Sequence, residues 1–246
     1  MKRSAAIAIG GVLFLSVILI PTAISSGALN PLAPGLFGDA TIQWKVKQSP
    51  SVPFQLFYSG NQKWIAENGS IMSFQITKIN DDFEGIVKLG NSTWRGNDTD
   101  LARDLTLGVW GKTAWLPGLL IHTDEKSIEQ ENATAYKSAS RVYGNYLNGT
   151  MDSKIESIQL YGKYYNCINF YYVQDEPLFG DPQILRLSYD LNSGILVYAN
   201  VYYSFGVPYT FEIALLSVSS PLASSTLLLV SFTLFLVAAV YAVSKR

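Results

Sequence analysis

Apolar and polar residues alternate along most of the middle of the chain. Over 41–47, Ile42, Trp44 and Val46 are separated by polar residues, the period-two pattern of a strand with one buried face. Residues 105–121 are more uniformly apolar and predict two further strands around a turn. Similar strand patterns occur before this stretch, near 53–58, 70–79 and 83–89, and after it, near 154–161, 163–173, 183–190, 194–204 and 208–217. The pattern therefore predicts a mostly antiparallel sheet.

One segment of the middle region has helical spacing instead. Within 123–147 the apolar positions recur three, four or seven residues apart, at Ile128, Ala135, Ala139, Val142 and Tyr146. Thr123 is a plausible N-cap, and acidic residues follow it, which suits the helix dipole. We expect one long helix, or two short ones broken near Asn132, packed on the sheet, so the predicted fold class is α+β, mainly β.

The clearest predicted hairpin lies near the end of the strand-rich region. Tyr189-Asp190 and Ile195-Leu196 flank a short stretch of turn-forming residues. Gly194 can take the positive φ that closes such a turn, because it has no Cβ.

Both ends of the chain are apolar. Lys2 and Arg3 precede an apolar run, and small residues follow it, so 1–27 is predicted to be a signal peptide or an uncleaved N-terminal anchor. Residues 222–246 are predicted to form a transmembrane helix with a short basic cytoplasmic tail. Because basic residues prefer the cytoplasmic side, 28–221 is predicted to be an extracellular ectodomain at the plasma membrane.

The hairpin and its surroundings resemble a known class of proteins. A Tyr189-Asp190 pair, a polar turn with Gly194 and an apolar strand, ahead of a C-terminal apolar segment with basic residues, is similar to membrane-anchored cell-surface proteins of archaea that are uncharacterised. The resemblance implies location and architecture, and it carries over no catalytic residue.

Charge and cysteine content narrow the functional classes. The chain has 18 basic and 19 acidic residues; four basic residues lie at the ends, leaving 14 against 19 and a net charge of −5 between them. This balance gives no reason to expect nucleic acid. Cys167 is the single cysteine, so no intrachain disulfide can form and we expect a buried structural thiol.

Asn-x-Ser/Thr triplets agree with an extracellular domain. Five occur, all between residues 68 and 150. Each is a candidate glycosylation site on exposed backbone, although turn-rich polar loops produce such triplets anyway. The candidate asparagines are Asn68, Asn91, Asn97, Asn132 and Asn148.

No motif supports catalysis, a cofactor or a metal. His122 is the single histidine, and no zinc-binding spacing surrounds it. The Gly-rich stretch at 108–113 lacks the spacing of a phosphate-binding loop. Asp98, Asp100 and Asp104 form an acidic cluster without the EF-hand pattern, which indicates a solvated face or a helix start.

Tyrosine is the one compositional excess. Ten of the 15 tyrosines lie between residues 161 and 209. Six of them form adjacent pairs, Tyr164-Tyr165, Tyr171-Tyr172 and Tyr202-Tyr203. Adjacent strand residues point to opposite faces, so each pair places one ring on each side of the sheet. Cross-strand aromatic packing explains such rings, but they also suit a binding surface. The candidate contact residues are Tyr161, Tyr164, Tyr171, Tyr198 and Tyr202.

These observations favour a membrane-anchored cell-surface protein with a non-enzymatic binding or structural role. Its expected partners are the lipid bilayer and another surface protein, a neighbouring copy or an apolar ligand. An extracytoplasmic carrier of a lipid-like ligand is the first alternative. An extracytoplasmic hydrolase is the second, although no nucleophile, base and orienting group are visible in the sequence.

Overall fold

A computed structural model of the chain describes residues 39–50, 52–107, 117–139, 149–175, 180–205 and 207–219. The predicted N-terminal segment 1–27, the predicted transmembrane segment 222–246 and Asn148 lie outside these residues. Within the described ranges, no helix is both long enough and apolar enough to span a bilayer.

The described residues form eleven strands and two helices. The strands are β1 (Thr41–Gln48), β2 (Phe54–Leu56), β3 (Gln62–Trp64), β4 (Ile71–Ile79), β5 (Phe83–Leu89), β6 (Ser92–Asn97), β7 (Gly149–Leu160), β8 (Lys163–Gln174), β9 (Ile184–Asp190), β10 (Leu196–Phe205) and β11 (Val207–Ser219). The helices are α1 (Asp98–Leu107) and α2 (Glu125–Ala139). The prediction of a mainly β, antiparallel fold with helical elements is confirmed.

Nine strands make one antiparallel sheet in the order β6-β5-β4-β1-β11-β10-β9-β8-β7, while β2 and β3 form a separate hairpin. Most neighbours in the sheet are also neighbours in sequence. The two exceptions are at the centre. There β1 pairs with β4, although β2 and β3 lie between them in sequence, and with β11, where Thr41 lies opposite Ser219. The first and last described strands of the sheet are therefore adjacent, and the chain enters β1 and leaves β11 at the same end.

The two faces of the sheet differ in what covers them. The alternation predicted in β1 is confirmed, because Ile42, Trp44 and Val46 are completely buried on one face. The β2–β3 hairpin packs on this side, with the Phe54 ring 4.8 Å from that of Phe211. We call this side the packed face, and both helices also lie against it. Burial of its large apolar side chains is the main stabilising contribution to the fold.

Helix α1 corrects two predictions. Residues 105–107 are helical and not part of a strand, and the described residues contain a second helix that the apolar spacing did not predict. The Asn97 side chain caps this helix: its Oδ1 accepts from the backbone N–H of Asp100 at 2.6 Å, and its Nδ2 donates to the Asp100 carboxylate at 3.1 Å. The first bond is an N-cap contact, and the second joins the cap side chain to that of the third helical residue.

Helix α2 begins one residue later than the proposed cap implies. Asp124, not Thr123, is the N-cap, because its Oδ1 accepts from the backbone N–H of Ser127 at 3.1 Å. Ser127 Oγ also donates to Asp124 Oδ2 at 2.5 Å. These bonds lower the pKa of Asp124, with the Ser127 hydroxyl the largest cause. The described helix ends at Ala139, and residues 140–147 of the predicted helix lie outside the described part.

The hairpin around Gly194 is confirmed. Gly194 has φ 72°, and β9 and β10 flank the turn. The turn is closed by a bond from the Gly194 N–H to the Asp190 carbonyl at 2.7 Å. A Cβ at Gly194 would also lie 2.0 Å from the carbonyl oxygen of Ile121, so glycine is required there for space as well as for conformation.

Candidate functional site

The second side of the sheet, which we call the open face, carries rows of polar residues. Residues that lie opposite each other on antiparallel strands point to the same face. One row therefore crosses β7 to β11 through Asp152, Tyr171, Arg186, Asn200 and Glu212. A second row crosses β7 to β10 through Lys154, Asn169, Ser188 and Tyr198.

The sheet curls so that this face becomes concave. The turn between β7 and β8 places the Tyr161 ring 5.5 Å from Nζ of Lys47 on β1. Four strands lie between β1 and β7, and strands in a flat sheet are about 4.8 Å apart. Because a flat sheet would keep Lys47 and Tyr161 more than about 20 Å apart, the β7–β8 hairpin must arch across the open face.

A groove of about 620 Å³ lies in this concavity. Its volume is within the range of small-molecule sites in proteins. It is lined mainly by β7, β8 and β9, with Tyr198 contributed by β10; the lining residues are Asp152, Lys154, Glu156, Ile158, Gln159, Leu160, Asn169, Phe170, Tyr171, Arg186, Leu187, Ser188 and Tyr198.

Charges in the groove are balanced and partnered. Lys154 Nζ lies 2.8 Å from a carboxylate oxygen of Glu156, and this hydrogen bond raises the pKa of Lys154. The guanidinium of Arg186 lies over the Tyr171 ring, 4.9 Å from its centroid. With Asp152, the lining holds two acidic and two basic side chains, so it favours a ligand without net charge.

Two tyrosine hydroxyls of the open face have a raised pKa. Burial raises the pKa of Tyr198, and the nearby Glu212 carboxylate raises it further. The Tyr202 hydroxyl donates to Asp181 at 2.7 Å, and this bond raises its pKa. At neutral pH both are hydrogen-bond donors rather than anions.

The five candidate contact tyrosines divide between three places. Tyr171 and Tyr198 line the groove, and Tyr202 lies on the same face. Tyr161 is in the β7–β8 turn, 53% exposed, while Tyr164 is 73% exposed and its alternation in β8 places it on the packed-face side. Three of the five therefore share one surface. In the next pair along β8, Tyr172 is fully buried and Tyr171 is not, as the alternation predicts.

Two of the candidate glycosylation sites lie at the end of the sheet opposite the Thr41–Ser219 pair. Asn68 is exposed next to the end of β1, where its Oδ1 accepts from the backbone N–H of Ser49 at 3.1 Å. Asn91 is exposed in the turn between β5 and β6. Both sites face solvent at the end away from the Thr41–Ser219 pair.

Two other candidate asparagines are half-buried and engaged within the fold. Asn97 caps α1 through both of its side-chain atoms. Asn132 on α2 accepts from the hydroxyl of Ser153 on β7 at 2.6 Å. Asn148, the fifth candidate, lies outside the described residues.

The acidic cluster proves to be three separate structural contacts. Asp104 is 2% exposed and accepts from the backbone N–H and hydroxyl of Ser59, both at 2.8 Å. Asp98 is 1% exposed and accepts from the backbone N–H groups of Phe83 and Leu120, at 3.3 and 3.0 Å. Asp100 serves the cap of α1. Among the described residues, no group of acidic, histidine or cysteine side chains could hold a metal ion.

Asp98 has a perturbed titration. Burial raises its pKa from 3.8 to about 7, although the backbone N–H donors, led by Leu120, act in the opposite direction. Through its bond to the Leu120 N–H, this carboxyl joins the start of α1 to the segment that carries Leu120. Because its pKa is about 7, it gains or loses its proton near neutral pH.

The single histidine and the single cysteine are not brought together. His122 stacks on Phe83 with ring centroids 5.0 Å apart. Cys167 is fully buried in β8, opposite Asp190, and burial raises its pKa to about 12. The thiol is a poor nucleophile in this environment, and the expectation of a buried cysteine is confirmed.

The charged residues of the groove were missed by the sequence analysis. Arg186, Lys154 and Glu156 interrupt apolar strands at the period that marks one face, which is a usable signal. Their convergence depends on the register of β7, β8 and β9 and on the curl of the sheet. No local sequence pattern specifies either of these.

Comparison of the chain with protein-family models, with curated proteins and with solved structures finds no match.

Proposed function

We propose that this chain is a membrane-anchored protein of the cell surface that binds a ligand in the groove of the open face. The observation that carries the proposal is the groove itself. It combines two tyrosines, two cations and two carboxylates in a concavity of about 620 Å³, on the face of the sheet opposite to both described helices. A small number of convergent polar groups around apolar surface is the usual composition of a binding site.

The ends of the domain support the proposed orientation. Thr41 and Ser219 lie opposite each other, so β1 begins and β11 ends at the same end of the sheet. The exposed candidate glycosylation sites Asn68 and Asn91 lie at the other end. This arrangement is expected of a domain whose lower end faces the bilayer and whose upper end faces the outside.

The groove favours a neutral, hydroxyl-rich ligand such as a saccharide. Tyrosine rings offer flat contact area with a polar tip, and carboxylate, amide and guanidinium groups can exchange hydrogen bonds with hydroxyls. An apolar, lipid-like ligand would remove the charged groups of Lys154, Glu156 and Arg186 from water without replacing their hydrogen bonds, which is costly. The groove lining also holds neither His122 nor Cys167, so we favour binding over hydrolysis.

Native mass spectrometry of the full-length protein, solubilised gently from its own membranes, tests the binding proposal. We expect the wild-type chain to retain a mass made of hexose-like units, and Arg186→Ala to lose it. Arg95→Ala is the matched control, because Arg95 lies on β6 outside the groove. A wild-type chain that retains no such ligand, or variants that retain it equally, would contradict the proposal.

Cysteine labelling of intact cells tests the orientation. The native thiol of Cys167 is fully buried, so the background is low. A membrane-impermeant maleimide should label Asn91→Cys on intact cells and Lys245→Cys only after permeabilisation. The reverse result would place the described domain inside the cell.

A further inference from the structure

The sheet ends in a long strand with a free edge. Among the described residues β7 pairs only with β8. Its range, Gly149–Leu160, has 12 residues and no proline, and Ile155 in its middle is 63% exposed. A free edge of this length is a template for pairing with another strand, and proteins usually shorten, cover or charge such an edge.

The charges of β7 match those of a second copy of the same strand. In an antiparallel pair centred on Ile155, Lys154 lies opposite Glu156 of the second copy, and Glu156 lies opposite its Lys154. Ile155 meets Ile155 on the other side of the ribbon, with Cβ atoms about 4.5–5.5 Å apart. Opposite charges and apolar pairs directly across a ladder are stabilising, whereas like charges are not.

Neighbouring registers are less favourable. Centring the pair on Lys154 or on Glu156 would place like charges opposite each other. Centring it on Ser153 would pair Asp152 with Lys154, but Ser153 lies beneath α2, bonded to Asn132 at 2.6 Å. The helices of both copies would then meet over the same point. The Ile155 register moves them apart and pairs residues 150–160 of each copy.

We propose that two copies of this chain associate through the edges of β7, antiparallel, about a two-fold axis at Ile155. Each copy contributes the same surface, as in other isologous dimers. The two nine-stranded sheets become one continuous sheet, and the two grooves lie side by side, because Lys154 and Glu156 belong both to the groove and to the interface. The pairing does not depend on which ligand the groove binds.

Disulfide crosslinking of the full-length chain in its membrane tests the register. Under mild oxidation Ile155→Cys should form a covalent dimer, because the two sulfur atoms meet at the axis. Ser157→Cys is the matched control and should stay monomeric, since its two copies lie four residues apart along the ladder. The wild-type chain, with only the buried Cys167, is the blank. Failure of Ile155→Cys to crosslink, or crosslinking of Ser153→Cys in its place, would overturn the proposed axis.

Charge exchange tests the pairing without a disulfide. Lys154→Glu and Glu156→Lys each place two like-charged pairs in the dimer, so each variant alone should be at least tenfold weaker in self-association. Mixing the two differently tagged variants restores both opposite pairs, and the tags should co-purify. Single variants that self-associate like the wild type, or a mixture that does not co-purify, would refute the pairing. Ligand retention by the wild-type chain is measured separately, so loss of this inference is distinguishable from loss of the proposed function.

Discussion

Two hairpins of the same sheet have similar turn chemistry and different surroundings. The β9–β10 turn contains Gly194 and the β7–β8 turn contains Gly162, with φ of 72° and 79°. A Cβ on Gly194 would strike the Ile121 carbonyl, whereas a Cβ on Gly162 would have no heavy atom within 4 Å. The first turn is enclosed by the fold and the second projects over the open face.

The difference continues into the strands. Beside the β9–β10 turn, the Ile121 N–H donates to the Gly194 carbonyl and the Leu196 N–H donates to the Leu119 carbonyl, both at 2.9 Å. The β7–β8 hairpin instead contributes to the groove and carries an edge that no described strand pairs with. The comparison indicates that one hairpin holds the fold together, while the other is available for binding.

Substitution of the two turn glycines by alanine should have very different effects on the free energy of unfolding. Gly194→Ala should lower the free energy of unfolding by about 3 kcal/mol or more, because it adds a backbone clash to an unfavourable φ. Gly162→Ala has the unfavourable φ alone and should cost about 1 kcal/mol. Urea unfolding of both variants measures the difference. Equal losses would show that the β9–β10 turn is not under steric constraint.

The stability that Asp98 contributes beside the β9–β10 turn should depend on pH. Asp98 holds the N–H of Leu120, and its pKa is raised from 3.8 to about 7. Between these values the folded state binds a proton that the unfolded state has lost, so this contribution to stability is full below about pH 4 and disappears as the pH rises through about 7.

Asp98→Asn tests this titration. Urea unfolding midpoints at pH 4.5 and 7.5 should differ less for the variant than for the wild type, because the amide does not titrate. We also expect the variant to lose about 1–3 kcal/mol at pH 4.5, since its NH₂ group opposes a backbone donor. Asp100→Asn, on the exposed side of α1, should keep the wild-type pH dependence. If the midpoints of Asp98→Asn differ between the two pH values as much as those of the wild type, Asp98 is not the source of the pH dependence.

Two tyrosine hydroxyls, one buried and one exposed, should differ in their contribution to stability. Tyr189 OH donates to the Gly118 carbonyl at 2.8 Å in the interior, whereas Tyr202 OH donates to Asp181 at the surface. Tyr189→Phe should cost about 1–2 kcal/mol, because it leaves a buried carbonyl unpaired. Tyr202→Phe should stay within about 0.5 kcal/mol of the wild type. Thermal unfolding of both variants gives the ranking, and a larger loss for Tyr202→Phe would reverse it.

Local features of the fold could be predicted from the sequence. The alternation through Ile42, Trp44 and Val46 predicted the buried face of β1, and the turn residues before Ile195 predicted the positive φ of Gly194. Helix α1 was not predicted as an element because its apolar stripe is short, although a helix start was one of the two interpretations of the acidic cluster, and the helix does begin at Asp98. The Asn97–Asp100 cap was a signal that could have revealed it.

Long-range features could not be predicted. The pairing of Thr41 with Ser219 joins residues from the two ends of the domain, and no local pattern specifies it. The groove has the same origin, because Arg186 and Lys154 converge only through the register of three strands. The curl that brings Tyr161 to Lys47 depends on the accumulated twist of the whole sheet.

We propose that the groove residues serve binding and do not stabilise the fold. Arg186→Ala tests this separation, because Arg186 lines the groove beside the Tyr171 ring of the neighbouring strand. We predict that urea unfolding of the variant changes by less than about 1 kcal/mol, the contribution of an exposed cation–π contact. A loss as large as that of Gly194→Ala would show instead that Arg186 stabilises the sheet.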